Sequence, residues 1–253
     1  MKLLLDLGNS RCKFAIVEGG EVKQYEAESY GPFGKFYSVK SLSNKYSDID
    51  EIVISSVLSE EMNSQINEML LNDAARKVFF LAPAENSFSV KLAYANPSSM
   101  GVDRVAALIG AKEKYSGNSC IVDCGTAVTI DALSAEGVHQ GGVILPGAKI
   151  MQKALMANTK IATSEAEAKR EQADPEFNVL SNTTEGAIHT GSVSAVAGGI
   201  EFVVNKMSSD YDVFDQIVFT GGDAKKLKSY LALQAVTDDT LVLDGLKMDS
   251  ENI

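Results

Sequence analysis

A short motif occurs twice in the chain, and this recurrence constrains the fold more than any other feature. The segment DLGNSRCKFAIV covers residues 6–17, and DCGTAVTIDAL covers residues 123–133. In each segment an aspartate ends an apolar run, a glycine follows in a turn of small residues, and a second apolar run begins. Two apolar runs around such a turn are typical of a β-hairpin. The recurrence predicts two related halves, which we place at residues 1–116 and 117–253.

The rest of the sequence predicts strands and helices that alternate in both halves. In the first half we expect a helix that Ser59 caps, with strands at 2–6, 12–17, 21–27, 51–57 and 77–81. In the second half we expect strands at 120–123, 127–133, 138–145, 216–219 and 240–243. Helices are expected near 148–156, at 184–207 and from 224 to about 233. Three-stranded meanders combined with strand–helix alternation favour an α/β fold with mixed sheets.

Composition and charge exclude several classes of partner. The chain has 253 residues with 45% hydrophobic content, enough to bury a sizeable core. Its net charge of −11 repels a phosphate backbone, so nucleic acid is not an expected partner. The leucines at positions 3–5 are followed at once by Asp6, which leaves too short a run for a signal peptide. No continuous apolar run reaches the roughly 18 residues of a membrane span, so we expect a cytoplasmic protein without a membrane partner.

The cysteines have none of the spacing of a zinc site. Cys12, Cys120 and Cys124 form no CxxC pair, and the chain has only His139 and His189 to join them. Cys120 and Cys124 are four residues apart in a predicted strand, so both would face the same side. We predict that all three are packing residues in a reducing compartment.

The two turns have the chemistry of a phosphate-binding site. Backbone N–H groups can approach a phosphate closely only where side chains are small, as at Gly8 and Gly125. Lys13 would add a positive charge, and Asp6 and Asp123 would bind Mg²⁺ between carboxylate and phosphate. One such turn alone would be an ordinary hairpin turn, because Asp, Gly, Asn and Ser are common there. The related pair favours a phosphate site.

A second candidate segment is YANPSSMGVDRVAALIGA, residues 94–111. Gly101 permits a close approach, and Asp103 and Arg104 stand in the first turn of the helix predicted to follow. Two interpretations of each residue stay open on local sequence alone. Asp103 is either a functional carboxylate or a charge that the helix dipole favours, and Arg104 is either functional or a solvated surface arginine.

The predicted helix at 184–207 has an unusually small-residue interior. Its small residues include Gly186, Gly191, Ala195, Ala197, Gly198 and Gly199. They would serve either tight internal packing or close helix approach at a dimer interface. We prefer the interface, because a monomer seldom needs so long a surface without bulky side chains.

The paired turns resemble those of the acetate and sugar kinase, heat-shock 70 and actin superfamily. That resemblance implies two related ribonuclease-H-like halves with mixed sheets and ATP with Mg²⁺ in the cleft between them. IVFTGGDA, residues 217–224, resembles the glycine-rich segment that holds the adenosine in that superfamily.

Six segments in order over nearly the full chain resemble the type III pantothenate kinase family. They are DLGNSRCK, YANPSSMGVDR, IVDCGTAVTIDAL, GGVILPG, NTTEGAIHTG and VFTGGDA. The resemblance implies phosphorylation of pantothenate by ATP to 4′-phosphopantothenate, the first step of coenzyme A synthesis. The family usually has threonine where this chain has Ser10, which keeps the hydroxyl and loses a methyl group.

The resemblance also implies roles for individual residues. Asp103 matches the proposed base that accepts the proton of the pantothenate hydroxyl, and Asp123 matches the ligand of a monovalent cation, K⁺ or NH₄⁺. Thr184 matches a threonine that reaches pantothenate across the interface of a homodimer. Contacts to ATP are implied at Asp6, Leu7, Gly8, Asn9, Ser10, Arg11, Cys12, Lys13 and Thr126. Contacts to pantothenate are implied at Tyr94, Gly101, Val102, Asp103, Arg104 and Thr184.

The chemistry of Arg104 suggests one further hypothesis, and two alternative functions stay open. Arg104 could hold the carboxylate of pantothenate through a bidentate pair, which a lysine would not reproduce. One rival is another small-molecule kinase of the superfamily, against which Tyr94 and the GVDR turn discriminate. The other is a nucleotide-binding dimer without turnover, which a missing Asp103 or Lys13 would have supported; both residues are present.

Overall fold

Two five-stranded mixed sheets form the framework of the part of the chain that the computed structural model describes. That part comprises residues 1–31, 34–46, 48–73, 76–158, 179–210 and 213–250. The first sheet has the order β3-β2-β1-β4-β5. Its strands are Lys2–Leu7 (β1), Arg11–Glu18 (β2), Glu21–Ser29 (β3), Glu51–Ser56 (β4) and Lys77–Phe80 (β5). A small hairpin of Asn86–Ser87 (β6) and Val90–Lys91 (β7) follows.

The second sheet repeats the plan of the first. Its order is β10-β9-β8-β11-β12. Its strands are Ser119–Cys124 (β8), Ala127–Leu133 (β9), His139–Pro146 (β10), Gln216–Thr220 (β11) and Val236–Thr237 (β12). In the first sheet β1 pairs antiparallel with β2 and parallel with β4, and in the second β8 pairs antiparallel with β9 and parallel with β11. The predicted α/β fold with two related halves is confirmed.

Seven α-helices of the described residues pack on these sheets. They are Gly34–Lys45 (α1), Glu60–Asp73 (α2), Val102–Lys114 (α3), Ala148–Asn158 (α4), Thr184–Asp210 (α5), Ala224–Lys228 (α6) and Leu241–Ser250 (α7). Helices α1 and α2 cover the outer face of the first sheet, while α5 and α6 cover the outer face of the second. Helices α3 and α7 share one core with the inner faces of both sheets. The central helices are therefore placed where the two halves meet.

The predicted cap of α2 is confirmed. The hydroxyl of Ser59 accepts a hydrogen bond from the backbone N–H of Met62 at 3.3 Å. Such a bond satisfies one of the N–H groups that a helix leaves unpaired at its start. Ile66 and Leu70, four residues apart on one face of α2, are fully buried against the first sheet.

The strand predicted at 240–243 is wrong, because Thr240 lies in a turn and helix α7 begins at Leu241. A short apolar run cannot by itself distinguish a strand from a buried helix. Leu243 and Leu246 pack at helical spacing against α3 in the central core. Close contact is possible because Gly110 of α3 and Gly245 of α7 have no side chains: a Cβ on either glycine would overlap the backbone of the other helix.

Two further predictions, the length of one helix and the boundary between the halves, describe the second half only in part. The helix expected from 224 to about 233 ends at Lys228. The strands of the two sheets lie on either side of the predicted boundary at 116, yet α7 comes from the end of the chain and packs on the first sheet. The division into 1–116 and 117–253 therefore describes the sheets better than the helices, and stays a prediction for domains.

Helix α5 combines a buried apolar face with an exposed face of small residues. Val193, Val196 and Ile200 pack on the outer face of the second sheet. No atom of the described residues lies within 4 Å of a Cβ placed at Gly191 or Gly198, so packing within that part of the chain does not account for these glycines. By length and composition α5 could cross a membrane, with a hydropathy of 1.3 over its best window, 44% of which is buried.

All three cysteines are buried and unpaired with one another, as predicted. Cys120 and Cys124 lie in one apolar cluster under α5, and Cys12 lies in the cluster under α1 and α2. Burial raises the pKa of the Cys12 thiol to about 12, with the charge of Asp6 adding to the effect. A thiol in such surroundings is a packing group rather than a nucleophile.

Candidate active site

The two related turns meet in the cleft between the halves. The hydroxyls of Ser10 and Thr126 are 3.1 Å apart. Each turn is closed by its glycine, since the N–H of Gly8 donates to the carbonyl of Arg11 at 3.1 Å and the N–H of Gly125 donates to that of Ala127 at 2.9 Å. Small residues from both halves thus line one space, as a phosphate-binding site requires.

A third glycine segment lies against both turns. Gly221 has φ +91°, and a Cβ there would collide with the carboxylate of Asp123. The N–H of Asp223 donates to the carbonyl of Cys124 at 2.9 Å. A Cβ on Gly222 would come within 2.7 Å of Nη1 of Arg11, which reaches across from the first half. The segment predicted to hold adenosine is therefore adjacent to the predicted phosphate site.

Sequence reasoning missed Gly147, which supports the second turn from behind. Its N–H donates to the carbonyl of Thr126 at 3.1 Å, and a Cβ there would overlap the carbonyls of Gly125 and Thr126. Gly147 ends the GGVILPG segment, so the signal was present in the sequence. Sequence reasoning assigned Gly147 no role, because the carbonyls that it contacts lie some twenty residues earlier in the chain.

A surplus of negative charge surrounds Lys13. Lys13 lies opposite Asp6 in the β1–β2 hairpin, with Nζ 3.8 Å from the carboxylate. Burial raises the pKa of Asp6 to about 7, with Lys13 lowering it and Asp103 and Asp123 raising it further. Burial also raises the pKa of Asp123 to about 6. The charge of Lys13 again lowers this pKa, and the charge of Asp103 raises it further. Burial would lower the pKa of Lys13, but the charges of Asp123 and Asp6 outweigh it and raise that pKa.

One ammonium group cannot offset three carboxylates, so these residues fit a site that binds cations. Among the described residues no three His, Cys, Asp or Glu side chains form a ready-made metal cluster. Mg²⁺ commonly uses only one or two carboxylates together with substrate phosphates. Asp6 and Asp123 suit that arrangement, because a cation beside them would offset the burial and the repulsion that raise their pKa values.

Asp103 projects from the start of α3. Its carboxylate accepts a hydrogen bond from the backbone N–H of Arg104 at 2.8 Å. Gly101 leaves room for this, since a Cβ there would lie 2.7 Å from Oδ1 of Asp103. Burial raises the pKa of Asp103, although the hydrogen bond from Arg104 lowers it. Asp103 does occupy the first turn of a helix, but its charge also acts on Asp6 and Asp123 in the cleft.

Arg104 is a buried residue and not a solvated surface arginine. Its Nε and Nη2 donate to the two carboxylate oxygens of Asp131 at 2.9 and 2.6 Å, and its Nη1 donates to the hydroxyl of Tyr94 at 2.7 Å. The bidentate face that we expected to meet a substrate carboxylate is thus directed at Asp131. Only the N–H groups that these bonds leave over, one on Nη1 and one on Nη2, could serve that role.

The remaining predicted residues divide into groups. The side chains of Leu7, Cys12 and Val102 are buried in apolar clusters or the core, so they could contact a ligand only through the backbone. Asn9, Ser10 and Arg11 are exposed at the tip of the first turn. Thr184 is the exposed first residue of α5, on the opposite side of the second sheet from α3. Within the described contacts it is not joined to the cleft.

Comparison with known proteins identifies the family. The model of the type III pantothenate kinase family matches residues 2–206. The type III pantothenate kinase of Hahella chejuensis is 33% identical over 98% of this chain and 96% of that protein, and the one from Nitrosococcus oceani is 31% identical over 97% and 92%.

Solved structures show the same fold at lower identity. A conserved putative Baf family transcriptional activator from Campylobacter jejuni has a TM-score of 0.58 and 22% identity, over 99% of this chain and 98% of that one. A putative 2-dehydro-3-deoxygalactonokinase from Sinorhizobium meliloti has a TM-score of 0.57 and 15% identity, over 100% and 99%. With the cleft and its motifs in place, the family match over most of the chain decides the assignment: the chain belongs to the type III pantothenate kinase family.

Proposed function

We propose that the chain transfers the γ-phosphate of ATP to the hydroxyl of pantothenate, giving 4′-phosphopantothenate, in the cleft between its halves. The observation that carries the proposal is the contact between the two phosphate turns, Ser10 to Thr126 at 3.1 Å, beside three carboxylates and one lysine. Phosphoryl transfer depends on alignment and charge neutralisation more than on covalent catalysis. The cleft offers both kinds of help.

The backbone N–H groups of the two turns would hold the phosphates, with Lys13 as a fixed positive charge. Asp6 is suited to a Mg²⁺ ion bound with the nucleotide, and Asp123 to a K⁺ or NH₄⁺ ion. When bound, these cations would offset phosphate charge that the acidic cleft would otherwise repel. The Gly221–Gly222 segment would receive the adenosine.

Asp103 would accept the proton of the pantothenate hydroxyl as that oxygen attacks the γ-phosphorus. Its raised pKa supports this role, because a carboxylate with a pKa nearer to neutral is a better proton acceptor. Tyr94, Gly101 and the remaining N–H groups of Arg104 would line the pantothenate site. Arg104 would then meet the substrate carboxylate with those N–H groups alone, and Arg104→Lys should raise the apparent KM for pantothenate.

The exposed face of α5 supports a homodimer. Phe202 is 70% exposed on this helix, and the neighbouring α4 and β10 expose Leu155, Ile150 and Ile144. Thr184 stands at the start of the same helix. If two subunits packed through this face, Thr184 of one subunit would lie close to the substrate site of the other and would help to complete it. Sedimentation at micromolar concentration tests this, and a protein that is only monomeric would remove the role of Thr184. We place the enzyme in the cytoplasm.

The function is tested by ADP release from the purified protein with ATP and Mg²⁺. Pantothenate is offered beside a panel of sugars and short acids, each in potassium, ammonium or sodium salts. We expect release that requires pantothenate with potassium or ammonium and that disappears in Asp103→Asn. ATP binding with no acceptor phosphorylated would instead favour the nucleotide-binding dimer without turnover.

A further inference from the structure

A buried charged network joins the two halves beneath the pantothenate site, and none of the roles above uses its far end. Arg104 and Tyr94 come from the first half, while Asp131 on β9 and His139 on β10 come from the second. Arg104 is 5% exposed, Asp131 2% and His139 0%. Burying an ion pair costs desolvation energy that its attraction often fails to recover. Stability alone is therefore a weak reason for this network.

The contacts within this network hold the guanidinium of Arg104 in one orientation. Asp131 accepts from both Nε and Nη2 of Arg104, which holds the plane of the guanidinium. Nε2 of His139 lies 2.8 Å from Oδ1 of Asp131, so the ring holds this carboxylate in turn. The rings of His139 and Tyr94 stack with their centroids 6.0 Å apart. Each member is thus held by at least two others.

The chain also keeps space for this arrangement. Gly142 on β10 lies opposite Asp131 in the sheet. A Cβ at Gly142 would overlap a carboxylate oxygen of Asp131 and come within 2.6 Å of Nη2 of Arg104. Only glycine therefore fits beside the pair.

We propose that Asp131 and His139 are positioning residues for phosphoryl transfer. Asp131 fixes the guanidinium of Arg104, whose backbone N–H at the start of α3 donates to the Asp103 carboxylate, and His139 fixes Asp131. Since β9 also follows directly from the second phosphate turn, the network keeps the base in register with that turn across the cleft. The inference rests on the proposed function, because it needs Asp103 as the base.

The test compares Asp131→Asn with a matched control, Asp238→Asn. Asp238 is 8% exposed and pairs with Lys114 at 2.7 Å, at the opposite end of α3. Misplacing a reacting group by about 1 Å can cost roughly 100-fold in rate. We expect Asp131→Asn to lower kcat by about that factor and to raise KM for pantothenate while KM for ATP stays unchanged. Asp238→Asn should lower the melting temperature and leave both KM values unchanged.

A second pair of variants covers the case in which Asp131→Asn fails to fold. His139→Gln can still donate to Asp131 from its amide, whereas His139→Leu cannot. We expect the glutamine to restore most of the pantothenate kcat/KM that the leucine loses, at similar melting temperatures.

The outcomes separate this inference from the function itself. A wild-type protein without turnover on pantothenate contradicts the proposed function. An active wild type, with variants at Asp131 and His139 that lose only thermal stability and keep both kinetic constants, overturns the positioning role and leaves the function standing.

Discussion

The two hairpins share one backbone plan but differ in the residue opposite their aspartate. In the first hairpin Asp6 lies opposite Lys13, and in the second Asp123 lies opposite Thr129. The second turn is also shorter, since β8 ends at Cys124 and β9 begins at Ala127. The first carboxylate thus has a built-in cation, while the second lacks one in its own hairpin. This difference gives a physical reason for the proposed K⁺ or NH₄⁺ ion at Asp123.

The largest effect is expected from removing the built-in cation. Lys13→Met keeps most of the length of the side chain and removes its charge, which leaves Asp6, Asp123 and the ATP phosphates without their common partner. Losing one fixed charge-stabilising donor costs about 100- to 1,000-fold in kcat. Steady-state kinetics checks this, with Lys23→Met, an exposed lysine paired with Glu21, as the control. Equal activity of the two variants would contradict the role of Lys13.

A smaller effect is expected from giving the second hairpin the lysine of the first. Thr129→Lys would place an ammonium group opposite Asp123, so the variant should need external potassium less. We expect the ratio of activity in potassium to activity in sodium to fall about tenfold, the equivalent of one modest charge interaction. If the variant is active and its potassium requirement is unchanged, the comparison between the hairpins does not explain the cation.

The raised carboxyl pKa values predict a dependence of stability on pH. Asp6 and Asp123 have pKa values of about 7 and about 6 in the folded protein, above the unfolded value of 3.8. Their contribution to stability is therefore complete at low pH and is lost as the pH rises through these values. A cation beside the ionised carboxylates should reverse the loss. Thermal melts without nucleotide should show potassium, at constant ionic strength, raising the melting temperature more near pH 8 than near pH 5.

If potassium raises the melting temperature equally at both pH values, the cation does not act through these two carboxylates. Sodium serves as the matched salt in each melt. The charge of Asp123 raises the pKa of Asp6, so the transition is read as that of the pair and not of either residue alone.

The smallest effect is expected at the tip of the first turn. Ser10→Thr keeps the hydroxyl that contacts Thr126 and adds one methyl group at an exposed position. Surface substitutions of this kind change free energies by about 0.5 kcal/mol or less, so kcat/KM should stay within about twofold. Ser10→Ala, which removes the hydroxyl, is the comparison. A loss with threonine as large as with alanine would mean that the size of this residue matters and the hydroxyl does not.

The sequence predicted what local pattern controls. The recurring Asp–Gly turns, the strands around them and the Ser59 cap depend on residues close together in the chain. The α7 helix was mistaken for a strand because its neighbours on α3 are more than 100 residues away, and only that packing makes Leu243 and Leu246 one face.

In the site, too, local motifs were predicted and contacts between distant segments were not. The motif residues of both phosphate turns were found, while Asp131, His139 and Gly142 were not. Their roles depend on Arg104, which comes from another half of the chain. A signal did exist, since Asp131 places a charge in a mostly apolar strand, where a buried carboxylate requires a partner.

The most direct test of the account is to identify the product. Purified protein is incubated with ATP, Mg²⁺, potassium and pantothenate, and the acceptor is examined by mass spectrometry and by phosphorus–proton coupling in NMR. We expect pantothenate carrying one added phosphate on its primary hydroxyl, and no such product with Asp103→Asn. ADP formed without phosphorylated pantothenate would contradict it, because the cleft would then bind and hydrolyse ATP without delivering phosphate to this substrate.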